Sequence, residues 1–297
     1  VTSQTQMRAA QANLQASAQR LAQLQEQSSS LKTISRASDD PARAANALAV
    51  RAEQRATAQY TRNADNGNGW LTTLDGALSA STTILNKVRD LTVQGSNAGT
   101  MTPATREAIA AQIDGLKQDL LRQANATYLG RTVFAGNSDA GVAFAADGSY
   151  SSGAAAGAAV PVDRRVGAGS TVRVDADGAA VFGTGANSVF TLLDTVSAAV
   201  RSTDPSVSVA VSLGAIDSRL TTVIAASSDV GARQARIEGA SAALATQKGT
   251  LEAQRVQLED ADLATVILDL KLQEIAYQSA LAVTARVIQP TLMDFLS

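Results

Sequence analysis

Two stretches near opposite ends of the chain repeat their apolar residues every seven positions, and this limits the fold more than any other feature. Met7, Leu14, Leu21 and Ser28 fall on one line, and Ala10, Ser17, Leu24 and Leu31 on a second. Two such lines form a coiled-coil seam. Residues 4–27 hold eight glutamines and neither Pro nor Gly, so the other face is amide-rich. Such a helix takes its stability from a partner. Far downstream Ile237, Leu244, Leu251 and Leu258 recur every seven. Leu263, Leu270 and Tyr277 then form one line, and Ile267, Leu281 and Ile288 follow a second. Pro290 ends that helix, leaving Leu292-Met293-Asp294-Phe295-Leu296 as an apolar tip.

Between these ends lies a second helical body. Ser38-Asp39-Asp40-Pro41 reads as a helix start, with Pro41 at the first helical position and the Asp39/Asp40 pair beside the free N–H groups. Leu71, Leu78 and Leu85 sit seven apart, as do Leu74, Ser81 and Val88. Trp70, the single tryptophan, reads with Leu71, Leu74, Leu78 and Leu85 as bundle core. Thr102-Pro103 restarts a helix whose Ile109, Ile113, Leu116 and Leu120 share one face. Asp204-Pro205 marks another boundary, followed by an apolar stripe of Leu213, Ile216, Leu220, Val223 and Ile224.

Residues 130–188 differ in composition, being rich in glycine and alternating β-type residues. Val172 and Val174 on one side of Asp175-Ala176-Asp177-Gly178, with Val181 and Phe182 on the other, predict a hairpin turning at Asp177-Gly178. The expected fold is therefore mainly α: an elongated antiparallel helical bundle or coiled coil from both chain ends, with a small β-rich insert. Its parts are a terminal coiled-coil domain (1–40 and 261–297), a helical bundle domain (41–137 and 205–260) and a β-rich distal domain (138–204).

Composition removes most chemistries. Neither histidine nor cysteine occurs, which excludes imidazole proton transfer, thiol nucleophiles, disulfides and Cys/His zinc sites. No base stands near a candidate nucleophile, so no catalytic residue, metal site or cofactor is assigned. Lys and Arg (25) balance Asp and Glu (27), which argues against nucleic acid as a partner. No apolar run reaches the roughly 18 residues that span a bilayer, so no membrane partner is expected either. Val1-Thr2-Ser3-Gln4 lacks the order of a cleavable signal, and without Met at its head the sequence is expected to miss a few leading residues.

Residues 263–296 hold sixteen large apolar side chains, more than one partner helix can cover. The terminal segments are therefore expected to be loose in a monomer and to order where neighbouring copies bury them. A chain that associates through its ends without closure builds a helical filament or tube. The candidate subunit-interaction residues are Met7, Leu14, Leu21, Leu24, Leu31, Leu263, Ile267, Leu270, Tyr277, Leu281, Ile288, Leu292, Phe295 and Leu296.

Several segments carry a resemblance. They are Ser38-Asp39-Asp40-Pro41-Ala42 with Ala44-Ala45-Asn46-Ala47-Leu48, Tyr60-Thr61-Arg62-Asn63, Trp70-Leu71 with Ala77-Leu78, and Asn125 to Gly130 with Thr132-Val133-Phe134-Ala135-Gly136. Through them the chain resembles the bacterial flagellin-like axial proteins over nearly its whole length, and most closely the branch at the hook–filament junction. That branch departs from flagellins at Leu129-Gly130 and Val133-Phe134. The resemblance implies a structural subunit that adapts hook to filament and touches its own copies, a hook-side junction protein and flagellin. It also implies export through the flagellar type III apparatus without a cleaved signal, a cytoplasmic export chaperone, and an extracellular place in the flagellum. Flagellin itself, the bulk filament subunit, is the alternative, followed by a secreted coiled-coil adhesin.

Overall fold

The computed structural model describes residues 3–34, 36–96, 101–151, 160–204 and 207–288, with backbone alone at residues 3, 4, 6 and 286–288. Helices dominate: α1 Ser3–Ser30, α2 Pro41–Ser96, α3 Pro103–Ala124, α4 Gly178–Phe182, α5 Val189–Arg201, α6 Val211–Glu259 and α7 Leu263–Ile288. Two short antiparallel ladders pair β1 (Thr127–Tyr128) with β2 (Arg131–Thr132), and β3 (Asp163–Arg165) with β4 (Thr171–Arg173). The chain divides into two compact units, residues 57–246 and residues 1–56 with 247–297.

Helix starts follow local chemistry. α2 begins at Pro41, and Asp40 Oδ1 accepts the Arg43 N–H at 2.9 Å. Asp39 serves the preceding turn instead, its Oδ2 accepting the Arg36 N–H at 2.9 Å. α3 starts at Pro103, with Thr102 Oγ1 accepting the Thr105 N–H at 3.2 Å.

In the unit of residues 57–246, α2 buries Thr57, Ala64, Leu71, Leu78, Leu85 and Thr92, each seven after the last. α6 answers with Ile216, Val223, Val230, Ile237 and Leu244 at the same spacing. Trp70 and Leu74 are buried beside them, in one cluster with Leu71, Leu78 and Leu85. Of the expected α6 stripe, Ile216 and Val223 are buried, Leu213 and Leu220 are half-buried and Ile224 faces outward. Gly69 lets Tyr128 approach, because a Cβ there would lie 2.4 Å from the tyrosine hydroxyl. Tyr128 rests on Trp70 with ring centroids 5.8 Å apart.

A second centre is aromatic. Phe182 meets Phe134 edge-on at 5.0 Å and Phe144 at 5.7 Å, while Phe144 lies 5.2 Å from Phe190. α5 is clamped to α3 by Arg201, which donates to Glu107 at 2.9 Å and to Asp114 at 2.7 Å. Lys117 adds a bond to Asp194 at 2.6 Å.

The predicted Asp177-Gly178 hairpin is corrected. Asp177 Oδ1 accepts the Ala179 N–H at 3.0 Å and caps α4, so Val181 and Phe182 are helical. Asp serves as a helix cap as readily as in a turn, and Gly178 is held tight by Phe134 O, 2.7 Å from where a Cβ would sit. The hairpin turn lies earlier, where the Val166 N–H donates to Ser170 O at 2.9 Å between β3 and β4.

The β1–β2 hairpin turns through Leu129 (φ 50°) and Gly130 (φ 78°), left-handed at both positions. Leucine has no local hydrogen bond to offset that conformation, and Leu129 is 78% exposed, so packing returns little. Leu129→Asn is expected to raise stability by about 1 kcal/mol, read as a higher denaturant midpoint at unchanged slope.

Candidate functional site

The unit of residues 1–56 and 247–297 brings the two chain ends together. α1 and α7 pair antiparallel. Gln273 Nε2 donates to Ser17 Oγ at 2.8 Å near mid-length, and the Ala261 N–H donates to Leu31 O at 3.0 Å where the pair begins. From α1, Leu24 is buried and Met7, Leu14 and Leu21 are half-buried. From α7 the more covered residues are Val266, Gln273 and Ala280 on one heptad line, and Leu270, Tyr277 and Thr284 on the other.

This settles which expected residues lie inward. Leu270 and Tyr277 do, whereas Leu263, Ile267, Leu281 and Leu31 are exposed. The side chain of Ile288, and Leu292, Phe295 and Leu296 entirely, lie outside the described residues. α7 is apolar nearly all round, so size alone could not select the stripe that meets α1. Gln273, passed over as polar, belongs to that stripe because Ser17 receives its hydrogen bonds.

The opposite face of α7 was missed as a stripe. Leu268, Leu272, Ile275 and Val283 are 58–61% exposed and project away from the α1-facing lines. Both α1 and α7 are helical and paired in the single chain. What is incomplete is the burial of α7, not its helix.

Where the helices meet their neighbours, both chain segments leave the helical path. Lys32 and Asp260 form an antiparallel bridge, and the Thr33 N–H donates to Glu259 O at 2.8 Å. Thr33 Oγ1 donates to Asp260 O at 2.9 Å. Glu259 anchors this link and is 5% exposed. Arg51 binds it through both forks, at 2.6 and 2.8 Å, while Lys32 stands 3.6 Å and Arg255 3.5 Å away. The Arg51 hydrogen bonds hold its carboxyl below the usual carboxylate range, against the opposing effect of burial.

A lowered folded-state pKa means that the ionised carboxylate stabilises the link. That stability is present above the ordinary Glu range and is lost as pH falls through the folded pKa. Glu259→Gln is therefore expected to weaken the link by about 1–2 kcal/mol at neutral pH, since Arg51 keeps partial access to water. The gap between variant and parent should close in acid, which limited proteolysis at residues 31–40 across a pH series reads directly.

Among the described residues no group of His, Cys, Asp and Glu could hold a metal ion, and no helix is long and apolar enough to cross a membrane.

Residues 1–139 match the bacterial flagellin N-terminal helical region, and residues 213–296 match the bacterial flagellin C-terminal helical region. The flagellar filament 30.7 kDa core protein of Treponema maltophilum is 29% identical over 265 residues, 88% of this chain and 86% of that protein. Flagellar hook-associated protein 3 of Escherichia coli (strain K12) is 34% identical over 112 residues, which span 37% of this chain but only 35% of that protein. Among solved structures, a putative flagellar hook-associated protein from Vibrio parahaemolyticus matches with a TM-score of 0.67 at 22% identity, covering 75% of this chain and 100% of that one.

Proposed function

The chain belongs to the bacterial flagellin family, and we propose that within it the protein is a structural subunit of the hook–filament junction. The observation that carries this reading is the shared fold: the Vibrio parahaemolyticus hook-associated structure is covered over its whole length. The role is mechanical. The terminal pair packs with sister copies into a tube wall, while the unit of residues 57–246 supplies a rigid body with two well-packed centres. In this place its partners are its own copies, a hook-side junction protein and flagellin. It reaches them after export in an unfolded state, with a cytoplasmic chaperone covering its apolar C-terminal helix beforehand.

The bulk filament subunit is the second reading, supported by the Treponema filament protein that aligns over 88% of this chain. Deleting the gene separates the two. The junction reading expects hooks without filaments under the electron microscope and flagellin shed into the medium. Normal filament production by the deletion strain would overturn it. Loss of the filament's main protein, with no flagellin shed, would favour the second reading.

A further inference from the structure

The unit that pairs the chain ends contains a cleft with no occupant assigned by the account above. It has a volume of about 430 Å³, in the range of binding clefts (roughly 300–1,000 Å³). Its wall is apolar, from Ile34, Ala37, Ala44, Ala47 and Leu48, and its edge is basic, from Lys32, Arg36 and Arg51 against the single carboxylate Glu259. Leu48 is 61% exposed beside it.

The sequence holds a complementary segment. Leu292-Met293-Asp294-Phe295-Leu296 sets one acid among four large apolar residues. That segment cannot reach the cleft of its own chain. α7 starts four residues after Glu259 and runs 26 residues alongside α1, away from the Ser30 end that lines the cleft. At 1.5 Å per residue this is about 39 Å. Phe295 lies seven residues beyond Ile288, and seven extended residues span at most about 25 Å.

We propose that the cleft lined by Ile34, Ala47, Leu48 and Arg51 receives Leu292–Leu296 of a second copy, Asp294 meeting the basic edge and Phe295 the apolar wall. The proposal rests on the assembly reading above and gives it a direction. The cleft lies by the Ser30 end of α1 and α7 runs away from it, so the contact is heterologous, and repeated from copy to copy it builds a ring or an open helix.

The chain's lack of cysteine makes the test clean. One full-length chain carries Leu48→Cys, another carries Phe295→Cys, and the two are mixed, assembled at high concentration, mildly oxidised and pelleted. The expected product is a disulfide between the two different chains. Asp294→Lys in the second chain should cut its yield about tenfold, and Arg36→Asp in the first should restore much of it. Pelleted assemblies without the mixed disulfide overturn the proposal and leave the assembly reading standing. If nothing pellets from the parent chain, both fall. A dilute chain carrying both cysteines that closes the bond internally also overturns the proposal, because its own segment would then fill the cleft.

Discussion

Replacing Leu272 and Ile275 together by lysine is expected to leave a folded chain that no longer assembles. Both lie on the outer face of α7, more than half exposed, so the single chain loses little when they change. On the assembly proposed above, sister copies cover the same side chains. Each large apolar side chain fully removed from water contributes roughly 1.5–3 kcal/mol, and lysine brings a charge that must stay wet. The pair therefore weakens each copy's incorporation by roughly 3 kcal/mol or more, beyond a hundredfold in affinity. Sedimentation should show the parent pelleting and the variant remaining in solution at every concentration tested. The unfolding midpoint of the variant should match the parent. A variant that pellets like the parent means that this face is not the assembly surface.

Phe182→Ala is expected to have the opposite profile. Phe182 is fully buried and joins Phe134, Phe144 and Phe190 into one aromatic centre. Truncating such a side chain removes its transfer free energy and leaves a cavity, about 3–5 kcal/mol in all. The neighbours come from loops, from α4 and from α5, each positioned by the others, so collapse around the gap is limited. Chemical denaturation should show the loss as a lower midpoint. If Phe182→Ala costs less than about 1 kcal/mol, the aromatic centre is not what holds this region.

The seven-residue repeats of α2 and α6 were legible because their core lines are pure. Leu71, Leu78 and Leu85 on α2, and Ile237, Leu244 and Leu251 on α6, are large residues at a strict spacing of seven, and all six are buried. The start of α2 was equally plain, since Pro41 fits only the first turn of a helix and Asp40 stands where its cap belongs. α7 was harder. With apolar residues on two opposite faces, its period could not say which stripe meets α1, and the choice fell to Gln273 and its hydrogen bonds to Ser17. Asp177-Gly178 misled for a related reason: the dipeptide suits a turn and a helix cap alike, and the tight fit of Gly178 against Phe134 O decides between them. The Glu259 link left no mark in sequence, because Arg51 lies 208 residues away and only the fold brings the two together.

Hydrogen exchange on the intact chain, dilute and then assembled, tests the central claim most directly. The account predicts that amides of α1 and α7 exchange at least about a hundredfold more slowly once sister copies cover them, while amides of the Leu71–Leu85 core change little. Terminal helices as protected in the dilute chain as in the assembly would contradict it.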